Sequence, residues 1–181
     1  MARAAQTASA LGCDTVVFEP GAITLDLQDG DDIGDSSIAW AGDRAVAVKA
    51  QRNARFDMAL DQVCRQLHAV GRALPEVQLA LRLSRFATGI ADPGGLEAIF
   101  EDLPALRLRY WHDGAVAARR EDLFGEPQGD ALERFASRLA GISISDSSEG
   151  SLTALPGSGS VDYPLLAAYG RRRTVSLPVA I

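Results

Sequence analysis

Three polar side chains stand in an order that could do chemistry: Asp35 in G-D-S-S, Lys49 closing A-V-A-V-K, and Gln62 in A-L-D-Q-V-C-R-Q-L. Lys49 is the only lysine among 18 basic residues. Gly42-Asp43 reads as a two-residue turn with glycine first. A hairpin closed there brings Asp35 and Lys49 together across neighbouring strands, a carboxylate beside an ammonium group, although they lie 14 positions apart. Other chemistries lack their residues. There is no H-E-x-x-H, G-x-S-x-G, Walker loop or G-x-G-x-x-G. Cys13 and Cys64 have no metal-ligand spacing, and His68 and His112 are far apart.

The elements that must position these residues follow from periodicity and punctuation. Residues 2–11 are mostly good helix formers that Gly12 can close. T-V-V-F (15–18) and A-I-T-L-D-L (22–27) read as strands, 29–35 as an acidic loop, and 38–41 and 44–50 as the two arms of the hairpin. Phe56, Ala59, Leu60, Val63, Leu67, Val70 and Leu74 repeat at helical spacing, so residues 55–74 are predicted to be an amphipathic helix, ended by Pro75. Alternation over 77–83 predicts a strand, and Asp92-Pro93 a capped helix over 93–102. Residues 106–111 and 115–120 read as a second hairpin turning at Asp113-Gly114, and 129–141 as a helix offering Leu132, Phe135, Leu139 and Ile142 to the core.

This order predicts an α/β fold, a mixed central sheet flanked by helices. Residues 1–142 form one domain in this reading. Residues 143–160, with seven Ser and three Gly, read as a linker, and 161–181 as a tail or docking strand carrying the basic run Arg171, Arg172, Arg173. V-A-V-K also resembles the lysine strand of protein kinases, but no Gly-rich loop precedes it and no H-R-D or D-F-G follows, so that reading is rejected.

In the order and spacing of Asp35, Ala47-Val48-Lys49 and Gln62, residues 1–111 resemble the PD-(D/E)XK nuclease superfamily, with its restriction-endonuclease-like core. The resemblance implies a divalent-metal-dependent DNA endonuclease. Asp35 would hold Mg²⁺ or Mn²⁺, Lys49 would act at the nucleophile and the scissile phosphate, and Gln62 would help position the site. Gln66 stands where that family often has a tyrosine. Ala47 occupies the place of the second metal-binding carboxylate and supplies no oxygen, so the chain as written would be degenerate, would use a migrated ligand such as Glu19, Asp26, Asp31 or Asp32, or would carry a replaced glutamate. Each residue also has a plainer role: Asp35 as a turn cap, Lys49 as a snorkelling edge residue, Gln62 and Gln66 as a polar flank.

Charge and composition bound the function. The chain has 181 residues and net charge −6, with eight of its 24 acidic groups and only three basic ones before residue 51. That balance argues against a protein that coats nucleic acid by bulk attraction. It also supports a reading of another class, a non-catalytic interaction module using an acidic rim at 26–35 to meet a basic protein partner. No apolar run approaches the roughly 18 to 20 residues that span a bilayer, and two cysteines suggest reduced thiols in a cytoplasmic setting.

Overall fold

The computed structural model describes residues 2–25, 42–148, 151–171 and 177–180. Its centre is a curled five-stranded sheet built from β1 (Thr15–Phe18), β2 (Gln78–Leu81), β3 (Arg109–Asp113), β4 (Leu139–Ser143) and β7 (Val179–Ala180). The spatial order is β1-β2-β3-β4-β7 and every pairing is parallel: Val16 sits opposite Leu79, Leu81 opposite Tyr110, His112 opposite Ile142, and Ile142 opposite Val179. The expected mixed sheet is therefore corrected to a parallel one. Its inner strands show why: Leu79, Ala80 and Leu81 of β2 are all buried, so both faces of the strand are covered, the environment of a parallel sheet under helices.

Parallel neighbours need crossovers, and helices provide them. β1 reaches β2 through α2 (Gly42–Asn53) and α3 (Phe56–Ala73), β2 reaches β3 through α4 (Pro93–Asp102), and β3 reaches β4 through α5 (Gly114–Phe124) and α6 (Asp130–Phe135). Helix α1 (Ala2–Ala10) precedes β1 and ends before Gly12, whose φ of 73° closes it. The amphipathic stripe of α3 buries Val63, Cys64, Leu67 and Val70. Asp92 caps α4 as its sequence suggests, its Oδ1 accepting the Gly95 amide at 2.8 Å.

In both expected hairpins the second arm is a helix instead. Residues 44–50 lie in α2, where alanine-rich sequence favours helix and Val48 is buried while Val46 is 54% exposed. Residues 115–120 lie in α5: the Asp113-Gly114 pair starts a helix, Asp113 Oδ1 accepting the Val116 amide at 3.2 Å, and Gly125, at φ 65°, ends it. The expected helix over 129–141 is shorter: α6 stops at Phe135, a single 3₁₀ turn follows, and Leu139 begins β4. Leu132, Phe135, Leu139 and Ile142 are nonetheless all buried.

The fold does not stop at residue 142. Ser143 closes β4, β5 (Asp146–Ser148) and β6 (Ser151–Ala154) form an antiparallel pair within the expected linker, and α7 (Tyr163–Arg171) leads to β7, which docks on β4. Of the strand expected at 22–27, only an isolated bridge between Ala22 and Gly89 is present among the described residues. The strand at 38–41, the acidic loop 29–35 and Arg172–Arg173 lie outside the described residues.

Candidate ligand cleft at the carboxyl ends of the strands

In sheets of parallel strands joined by helices, ligands bind beyond the carboxyl ends, where the loops diverge from the sheet. Three strands end here on a charged residue: T-V-V-F is followed by Glu19, Q-L-A-L by Arg82, and R-Y-W-H closes with Asp113. Parallel alignment brings these termini side by side. Arg82 donates from Nη1 to Asp113 Oδ2 at 3.2 Å and from Nη2 to Glu19 Oε2 at 3.4 Å, tying the ends of β1, β2 and β3 together. Ser84 Oγ donates to Glu19 Oε1 at 2.7 Å.

A cleft of about 390 Å³ opens over this network, lined by Arg82, Arg85, Asp113 and Ser143 and by Leu152, Leu155 and Pro156 from β6 and the following loop. That volume lies in the usual range for small-molecule sites. Arg85 is the cation with capacity to spare. Its Nε comes only to 3.8 Å from Glu19, is buried and makes no hydrogen bond, while its guanidinium lies 4.9 Å from the Phe86 ring centre and its side chain is 40% exposed. Burial raises the proton affinity of the Asp113 carboxyl, against the opposing pull of the Val116 amide and Arg82. A carboxyl shifted upward at a cleft mouth is suited to proton transfer.

The residues singled out from sequence stand elsewhere. Asp35 lies outside the described residues. Lys49 is on helix α2 rather than a strand, donating to Glu126 Oε1 and lying 3.8 Å from Asp92 Oδ2, with the Phe124 ring centre 4.9 Å away. Its neighbours are structural. Arg52 is 3% exposed and donates to the Gly89 and Ile90 carbonyls and to Asp92 Oδ2, and Arg120 donates to the Ser84 carbonyl and to both Glu126 oxygens. Burial alone would raise the Glu126 pKa, but Arg120 and Lys49 hold it below the ordinary glutamate range. The cluster joins α2 and α5 to the loop between β2 and α4. Ala47 is exposed on α2. Gln62, on α3 as expected, lines with Gln66 a different groove of about 420 Å³ against residues 20–24. Lys49 and Gln62 thus serve separate surroundings.

Among the described residues no group of three or more His, Cys, Asp or Glu side chains is placed to hold a metal ion, and no helix is long and apolar enough to cross a membrane. Arg82 and Arg85 were not singled out from sequence, Glu19 was named only as a migrated metal ligand, and Asp113 only as a turn residue. The readable signal was a charged residue directly after or at the close of an apolar run, repeated at three strands, and it becomes meaningful only once those strands are known to be parallel. The fold and cleft together define a parallel α/β protein with a polar site at the carboxyl edge of its sheet. No family model, no curated protein and no solved structure matches the chain.

Proposed function

We propose that this protein binds a small molecule through a carboxylate group, taken up by Arg85 at the carboxyl end of the sheet. The observation that carries the reading is the Arg85 guanidinium, half-exposed over a cleft of about 390 Å³ with a buried Nε that lacks a hydrogen-bond partner. A planar guanidinium matches a carboxylate in a two-point hydrogen bond. Glu19 and Asp113 already balance the charge of Arg82 and Arg85, so a monocarboxylate adds less repulsion there than a phosphate monoester carrying about −1.5 to −2. Asp113, with its burial-raised proton affinity, is the group best placed to exchange a proton with the ligand.

The free thiols of Cys13 and Cys64 support a reducing, cytoplasmic setting. The nuclease-type assignment gains no support from Lys49, which is committed to Glu126 on a helix, and the acidic rim of the interaction-module reading lies outside the described residues.

The test is calorimetric titration of the full chain with small monocarboxylates, with inorganic phosphate as the comparison. Carboxylates should bind at least tenfold tighter than phosphate, and Arg85→Ala should weaken them about tenfold, the loss of one charged hydrogen-bond pair. Equal binding to wild type and Arg85→Ala, or preference for phosphate, would overturn the reading.

A further inference from the structure

Leu152, Leu155 and Pro156 also line the cleft, and the loop that follows Pro156 is held by a buried carboxylate. Asp146, fully buried at the start of β5, accepts hydrogen bonds from the Ser147 and Val161 amides on Oδ1, at 2.8 and 3.1 Å, and from the Gly157 and Gly159 amides on Oδ2, both at 2.9 Å. The Tyr163 hydroxyl adds a fifth donor at 3.2 Å. Burial alone would raise the Asp146 pKa, but these amides keep the carboxyl below the usual aspartate range, so it stays ionised. The loop can wrap this closely because position 159 is glycine: a Cβ there would run into the Ser147 carbonyl and the Asp146 carboxylate. Residues 157–161 are thereby fixed around one side chain, and the segment just before them carries Leu155 and Pro156 into the cleft.

Leu155 is 79% exposed, a large apolar side chain left in water beside two arginines. With the half-buried Leu152 it forms a pre-set apolar surface in the same cleft that Arg82 and Arg85 line. Fixing such a surface before the ligand arrives lowers the ordering cost of binding.

Resting on the carboxylate-binding reading above, we propose that the ligand class is a carboxylate with an apolar body, its head group on Arg85 and its hydrocarbon part against Leu152, Leu155 and Pro156. The cleft then selects by hydrocarbon length as well as by charge. Asp146 is a positioning residue for that wall and does not touch the ligand.

The experiment titrates the full chain with straight-chain carboxylates from butyrate to octanoate, and with 1-hexanol, by calorimetry. In the wild type, affinity should rise about two- to fourfold per methylene, as expected for partial to full burial of each CH₂, and hexanoate should bind at least tenfold tighter than 1-hexanol. The double variant Leu152→Ser/Leu155→Ser should flatten the length dependence, weakening octanoate at least tenfold more than butyrate. Leu155→Ala alone should give an intermediate slope, which covers the case of a poorly folded double variant. Arg85→Ala should weaken every acid by a similar factor and keep the slope. Carboxylate binding without length dependence, or a slope unchanged by both leucine variants, overturns the proposal and leaves the anion site standing. Failure of every carboxylate to bind, or equal binding of hexanoate and hexanol, overturns the anion site and this proposal with it.

Discussion

Replacing His112 by glutamine should flatten the acid side of the stability profile. His112 is fully buried on β3, its Nδ1 sharing a 2.8 Å hydrogen bond with the Tyr110 hydroxyl while Nε2 has no partner. Burial pushes its pKa down from 6.5 to about 3. Between those values the unfolded chain takes up a proton that the folded protein refuses. Stability is therefore complete above pH 6.5 and falls as the solution is acidified toward pH 3. At pH 5 the loss is the free energy of protonating the unfolded imidazole across about 1.5 pH units, or about 2 kcal/mol. For a chain of this size that is about 4 to 8 °C in Tm. Glutamine offers the Tyr110 hydroxyl an oxygen acceptor and does not titrate, so the variant starts from a lower stability but should lose about 2 kcal/mol less between pH 7 and pH 5. The assay is urea unfolding followed by circular dichroism at half-unit pH steps. Comparing the two proteins removes the shared contribution of Asp113, whose burial-raised carboxyl acts with the opposite sign as it protonates. Parallel profiles for wild type and His112→Gln would refute the buried neutral imidazole.

Other expectations follow from packing, charge and exposure. Gly141→Ala places a Cβ against the Trp111 ring and should cost about 1 to 3 kcal/mol by overpacking, read as a lower urea midpoint with unchanged m. Trp111 fluorescence should shift with it, because the indole Nε1 donates to Ser143 Oγ at 2.9 Å. Glu126→Gln leaves the buried Arg120 guanidinium without its carboxylate and should destabilise by about 3 to 5 kcal/mol at pH 7. That penalty should shrink as pH falls through the lowered Glu126 pKa, where the wild type loses the same charge. Thiol titration at pH 8 should find one fast group: Cys13 is exposed, whereas Cys64 is buried and its pKa is pushed up to about 11, by burial first and then by Asp102.

How much of this was legible depended on whether local chemistry had one meaning. The stripe on α3 and the Asp92-Pro93 start of α4 have one meaning each, and both elements appear close to their expected bounds. Asp113-Gly114 has two, because an aspartate beside a glycine can turn a hairpin or cap a helix. The decision came from β3 being paired on both sides by parallel strands, which leaves no edge for an antiparallel return. Gly42-Asp43 misled in the same way, since alternating Ala and Val fits a strand as readily as a helix whose buried side needs only Val48 and Arg52. Serine-rich residues 143–160 resembled a linker by composition, and nothing local reveals that Asp146 collects four amides from both ends of that stretch and just beyond it. The cleft was hidden for a related reason: Glu19, Arg82 and Asp113 are separated by 63 and 31 positions, and only strand alignment joins them.

The order β1-β2-β3-β4-β7 repeats the order in which the strands occur along the chain. A ribosome therefore delivers each strand when its one earlier neighbour has already emerged, and no strand must wait for a distant later segment to be inserted beside it. Assembly can proceed by successive addition at a single growing edge, with each crossover helix sealing the unit just made. Such a route keeps unpaired strand edges few and brief during synthesis, which limits the time available for wrong pairing with other nascent chains.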